Sequence, residues 1–152
     1  MDKSGLARKN LDRRLAPLRE MQLSAPGRGW LRAIREALGM TSTQLAKRLG
    51  VVPSRVTALE KAEMQGSVTL KTIREAAEAM DCMLVYALVP KRPLDDIIRA
   101  RATKRAEEEL ARVHHTMRLE DQALTHEDIR AERERKIAEL MNGSPRRLWD
   151  ES

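Results

Sequence analysis

Four residues, Ala46, Gly50, Val56 and Leu59, constrain this chain more than any other feature. Within TSTQLAKRLGVVPSRVTALEKAE, residues 41–63, they stand at offsets of four, six and three. Thr41 and Gln44 predict a capping box that starts a short helix, in which Leu45, Ala46 and Leu49 form an apolar face. Gly50 falls where the chain must turn sharply, and a residue without Cβ does so at least cost. Pro53 suits the first turn of a second helix, where its missing N–H would be unpaired anyway. A small residue at 46 lets two backbones approach, and Val56 and Leu59 wedge the second helix steeply onto the first.

This spacing is the helix-turn-helix pattern, and over about residues 28–80 the chain resembles the DNA-binding class shared by phage repressors and XRE transcription regulators. The resemblance implies that the second helix, about Pro53 to Lys61, lies in the major groove of double-stranded DNA. Ser54, Arg55, Thr57 and Ala58 point outward there and are the base-reading candidates, together with Pro53. Arg55 suits a guanine edge, whereas Pro53 and Ala58 offer only apolar contact, for instance to a thymine methyl. Gln44, Lys47 and Lys61 are expected on phosphate. Arg28, just before the preceding helix, and Arg32 and Arg35 on it are further phosphate candidates.

The charge distribution agrees with this reading. Residues 1–50 hold eleven Lys/Arg against four Asp/Glu, residues 51–100 balance at seven each, and residues 101–152 hold eleven against twelve. The basic excess therefore lies on the N-terminal arm and at the start of the helix-turn-helix, as expected of a phosphate-binding face. No window holds 18 apolar residues, which speaks against a membrane span, and the N-terminus lacks the apolar run of a signal peptide. The lone cysteine, Cys82, cannot form an internal disulfide. It fits a cytoplasmic protein and reads as a small buried hydrophobe.

In chain order, residues 3–23 read as a helix with a narrow stripe of Leu11, Leu15 and Leu18, and Pro17 is expected to bend or divide it. A stripe this narrow must dock on something, either its own chain or a second subunit. Ser24 to Gly29 is a linker dense in helix breakers. Trp30 to Leu38 should be the first helix of the DNA-binding domain, with Leu31, Ile34 and Leu38 inward and Trp30 packing at the core or helix end. Val68 to Met80 should be another helix, capped by Ser67 or Thr69, with Leu70, Ile73, Ala76, Ala77 and Met80 inward.

Residues 82–89, CMLVYALV, break the helical pattern and predict one strand bounded by Asp81 and by Pro90 and Pro93. A single strand leaves backbone groups unpaired. Met83, Leu84, Val85, Tyr86 and Leu88 are therefore expected to form a ribbon across the two-fold axis of a homodimer, the alternative being strand addition to a different protein. A dimer would also suit an operator with two half-sites in inverted repeat.

From Pro93 to about Gln122 the apolar positions run at threes and fours, predicting a long helix. Thr125 and Asp128 should begin a second one that runs to Met141. The tail SPRRLWDES carries Trp149, a residue type that usually anchors to something. The fold expected is thus mainly α. It comprises an N-terminal helical arm (1–24), a phage-repressor-like helix-turn-helix domain (25–80), a dimerisation strand and linker (81–92), and a C-terminal helical partner-binding region (93–152).

The stretches RGWLRAIREALGM, QLAKRLGV, GSVTLKTIREAAEAMDCMLVYALVP, HTMRLEDQAL and PRRLWDE together resemble the family called mobile mystery protein A. Its members are typically encoded beside a Fic-domain protein, mobile mystery protein B, and Fic enzymes usually transfer AMP from ATP to a protein hydroxyl. The resemblance therefore implies an antitoxin that represses its own operon and inhibits a Fic-domain toxin. Small Fic antitoxins share an inhibitory helix of pattern Ser/Thr-x-x-x-Glu-Gly/Asn, whose glutamate occupies an arginine that would otherwise hold the ATP γ-phosphate. TMRLED carries Thr116 and Glu120 at that spacing, with Asp121 where Gly or Asn is usual. Thr103 with Glu107 repeats the spacing, and the choice between the two pairs stays open.

His114, His115 and His126 have no cysteine or carboxylate at metal-ligand spacing and read as surface histidines, so no metal or other cofactor is expected. No nucleophile elbow, phosphate loop or paired catalytic carboxylates can be found, and the chain does not read as an enzyme.

Overall fold

The computed structural model describes residues 3–119 and 125–150. The helices are α1 (Lys3–Glu20), α2 (Trp30–Ala37), α3 (Ser42–Leu49), α4 (Pro53–Gln65), α5 (Leu70–Ala79), α6 (Leu94–Leu119) and α7 (His126–Asn142), followed by a short 3-10 helix, Pro145–Leu148. They fall into two compact units, one of Gln22–Leu88 and one of Met1–Met21 with Val89–Ser152.

The first unit is built on α2 to α5. Thr41 caps α3 as expected: its hydroxyl accepts from the Gln44 N–H, while the Gln44 side chain accepts from the Thr41 N–H. Gly50 ends α3 at φ 69°, the left-handed conformation that a Cβ would strain. Val52 is extended, as the residue before proline must be, and Pro53 starts α4. Leu31, Leu45, Ala46, Val56, Ala76 and Met80 form the buried core, with Ile34, Leu49, Leu59, Ile73 and Cys82 packed on its margin. Thr69, not Ser67, caps α5. Two residues expected inside are not: Leu38 and Leu70 are 56% and 44% exposed. Leu38 is the C-cap of α2 and Leu70 the first residue of α5, so both lie at helix ends, where the inward stripe has run out.

After α5 the chain leaves the helical pattern, but residues 82–90 carry no strand. Backbone pairing defines a strand, and among the described residues no second extended segment pairs with this one. Met83, Val85, Tyr86 and Leu88 are 83%, 77%, 64% and 89% exposed, while Leu84 is half-buried.

The second unit packs α6 against α7 around Ala102, Ala106, Ile137 and Leu148, with Ile98, Leu140 and Met141 at its edge. Thr125 and Asp128 form the expected capping box of α7. The tail is held too: the Arg101 guanidinium lies 5.8 Å from the centre of the Trp149 ring, and its Nε donates to the Leu148 carbonyl. The N-terminal arm, whose docking partner the sequence left open, packs on α6 of its own chain. Both Asp12 oxygens accept from the Leu94 N–H at 2.9 Å, Arg8 pairs with Asp95 at 2.7 Å, and Arg19 donates to the Pro90 carbonyl at 3.1 Å. Pro17 does not divide α1, because it falls in the last turns of a helix that ends three residues later. No helix among the described residues is long and apolar enough to cross a membrane.

Candidate nucleic-acid interface

The second helix of the helix-turn-helix, α4, is fixed on one side and free on the other. Val56 is fully buried, Leu59 is half-buried, and Glu60 and Glu63 turn toward α2. Glu60 meets Arg35 in a bidentate pair, with Arg35 Nε to Oε1 at 2.5 Å and Nη2 to Oε2 at 3.2 Å, while Nη1 donates to the Met40 carbonyl at 2.9 Å. Both residues are buried, 8% and 7% exposed, and every donor direction used is satisfied. The hydrogen bond to Glu60 raises the Arg35 pKa above its already high ordinary value, against the opposing effect of burial.

Glu63, one turn later, accepts from the Trp30 N–H at 2.8 Å and the Leu31 N–H at 3.0 Å. A carboxylate from α4 thus caps α2, satisfying amides that open a helix and favour negative charge. Gly29 makes room for it. Its φ is 83°, and a Cβ there would lie 2.9 Å from Glu63 Oε2.

Opposite these anchors, Pro53, Ser54, Arg55, Thr57 and Ala58 are all exposed at the N-terminal end of α4. These are the residues that the sequence puts forward for reading bases, and the fold brings them together on one face. Lys47 and Lys61 are exposed and have no ion pair among the described residues, as phosphate contacts require. Gln44 is exposed, but its side-chain oxygen is spent on the α3 cap, leaving its amide N–H groups to reach outward. Arg28 and Arg32 converge on Glu36, at 3.9 and 2.8 Å. The Arg32 hydrogen bond in particular holds the Glu36 carboxyl below its usual range.

Arg35 must be removed from the phosphate candidates, because it is buried and committed to Glu60. The reason lies outside local sequence: its partner is 25 residues away. Sequence reasoning also missed Glu60 and Glu63 as the residues that set α4 on α2. An acidic residue at an inward helical position, four after Val56 in the first case, is the signal that was available.

The sites read from the C-terminal third are less gathered. Thr116 is exposed and its hydroxyl donates to the Arg112 carbonyl, while Glu120 and Asp121 lie outside the described residues. Of the alternative pair, Glu107 is engaged by Arg133 of α7, with Oε1 accepting at 2.7 and 3.0 Å. His114 lies 3.2 Å from Glu132, and the described residues contain no group of three or more metal-ligating side chains.

Residues 31–86 match the helix-turn-helix family model, which supports an XRE-type DNA-binding domain of a transcription regulator in this part of the chain. No curated protein and no solved structure matches the chain.

Proposed function

We propose that this protein is a sequence-specific transcription regulator that binds double-stranded DNA as a homodimer and reads an inverted repeat with the N-terminal half of α4. One observation carries the reading. Ser54, Arg55, Thr57 and Ala58 stand free on the helix whose opposite side is locked by Val56, Leu59, Glu60 and Glu63. A reading helix needs this combination, because base discrimination requires side chains held in register with the groove. The test is selection of bound sequences from a random pool, repeated with Arg55→Ala and Lys47→Ala. Loss of Arg55 relaxes preference at one base pair, by about 1–3 kcal/mol. Loss of Lys47 weakens all sequences alike and lowers the salt slope by about one. An unchanged preference in the Arg55 variant refutes this orientation of α4.

The homodimer rests on the segment after α5. Its apolar side chains are largely uncovered, its backbone has no ladder, and Met83, Leu84 and Val85 line a cleft of about 310 Å³ with Leu23, Trp30, Ile34 and Met80. A second copy of the segment, laid antiparallel across a two-fold axis, would pair the backbone and cover those side chains together.

The finer reading is an antitoxin that represses its own operon and inhibits a Fic-domain AMP-transferase. Its support is the resemblance of the stretches quoted above to mobile mystery protein A, the exposure of Thr116, and the engagement of Glu107 by Arg133, which weighs against the pair of Thr103 and Glu107. Replacing Glu120 by Gly and assaying AMP transfer by the neighbouring Fic protein tests it. Undiminished inhibition ends the proposal.

A further inference from the structure

The charges of α1 are sorted. Its inward side carries Arg8, Asp12 and Arg19, each bonded within its own unit, and Asp12 is held by Leu94 and Arg19. Its outward side carries Lys9, Arg13 and Arg14, all exposed and with no ion pair among the described residues. Lys9 and Arg13 are four apart, one turn of helix, and like charges so placed destabilise a helix. The first turn holds no acidic residue, although the helix dipole favours one there. The bonds from Asp12 and Arg19 also bring residues 90–94 beside the C-terminal half of α1, adding exposed Lys91 and Arg92 to that neighbourhood. In sequence these cations are some 80 residues apart; only the docking of the arm puts them on one unit.

From this arrangement we infer that the outward face of α1, on the same unit as Lys91 and Arg92, is a second DNA contact that grips phosphates and reads no bases. The occupant follows from the chemistry. The face offers several cations and no paired acid to orient a specific carboxylate, and the leucines exposed on α1 are three, Leu6, Leu11 and Leu18. It is covalently tied to a unit that the proposed function already places on DNA. That tie makes the second contact intramolecular, at high effective concentration, so even weak phosphate contacts add affinity. The inference rests on that reading only for the source of the DNA; the contact itself is independent of sequence.

The test uses the full chain and a random-sequence duplex of about 40 base pairs, followed by fluorescence anisotropy between roughly 50 and 200 mM salt. Wild type is compared with Lys9→Gln/Arg13→Gln/Arg14→Gln and with the charge-keeping Lys9→Arg/Arg13→Lys/Arg14→Lys. The neutral variant should lower the slope of log K against log salt by about two to three, so its affinity falls about sixteen- to sixtyfold less across that range. The charge-keeping variant should match wild type. Circular dichroism verifies the fold, and if the triple variant fails to fold, Lys9→Gln alone should lower the slope by about 0.9. A neutral variant that keeps the wild-type slope overturns the inference, whether the face is merely solvated or serves an acidic protein. Sequence selection separates the two readings. A preferred sequence with an unchanged slope sinks only this inference, whereas a changed slope with no preferred sequence sinks only the base-reading role of α4.

Discussion

Removing the Glu60 carboxylate should be among the most damaging single substitutions in the helix-turn-helix unit. In Glu60→Ala the Arg35 guanidinium stays buried with the Met40 carbonyl and, 4.0 Å from its Nη2, the exposed Glu36 carboxylate as its remaining described partners. Breaking a buried pair by removing one partner costs about 3–5 kcal/mol, because a charge is left uncompensated away from water. For a domain of this size that corresponds to a fall in Tm of roughly 15–30 °C. Arg35→Met should cost a similar amount at neutral pH. The double variant Arg35→Met/Glu60→Ala removes both charges, so it should lose much less than the sum of the two single losses and give a strong coupling in the double-mutant cycle. Arg35 itself adds no pH dependence in the accessible range. A pKa raised on folding contributes stability that is lost only as pH rises through the folded value, which here lies beyond the working range. Urea denaturation of the four proteins, followed by circular dichroism, supplies the measurements. A loss below about 1 kcal/mol for Glu60→Ala, or a coupling near zero, would refute the claim that this pair is desolvated and holds α4 against α2.

Three further outcomes are expected. Gly29→Ala should destabilise the same unit by about 1–3 kcal/mol, because it forces a side chain into a left-handed backbone and pushes Glu63 off the α2 amides; thermal melts test it, and a neutral result would mean that Glu63 is not a tight cap. Lowering pH should loosen the start of α7. The Thr125 hydroxyl, and then its backbone N–H, hold the Asp128 carboxyl below its usual range. The cap is therefore complete above the ordinary aspartate pKa of about 3.9 and lost as pH falls through the folded value. Lower protection of the amides of residues 126–129 in acid, relative to their intrinsic exchange rates, and absent as a pH effect in Asp128→Asn, is the sign to look for. Val85→Asp should convert a dimer to a monomer in sedimentation at micromolar concentration, and a wild type that is already monomeric refutes the shared segment.

Much of the reading unit was legible beforehand because its signals are local. Thr41 with Gln44, Gly50 and Pro53 each act within a few residues, and Ala46, Val56 and Leu59 report a period that only a helix pair satisfies. The exposure of Pro53, Ser54, Arg55, Thr57 and Ala58 follows once that helix is placed. What escaped were long-range bonds. By sequence Arg35 suits a phosphate, but the fold commits it to Glu60, and nothing local to Glu63 signals that it caps a helix more than thirty residues back. Leu38 and Leu70 obeyed the apolar period yet stand at helix ends.

By itself, the order of residues determined where helices start and stop and which side of each is apolar, since caps, turns and periodicity depend on near neighbours. Only the tertiary structure decided what those sides meet. It placed the arm on α6, beside residues 90–94, and it divided the cations of α1 into bonded and free. It also left the apolar run after α5 without a pairing strand among the described residues. These outcomes depend on contacts between segments far apart in the chain, and no local pattern encodes which distant group will arrive to neutralise a charge or cover a side chain.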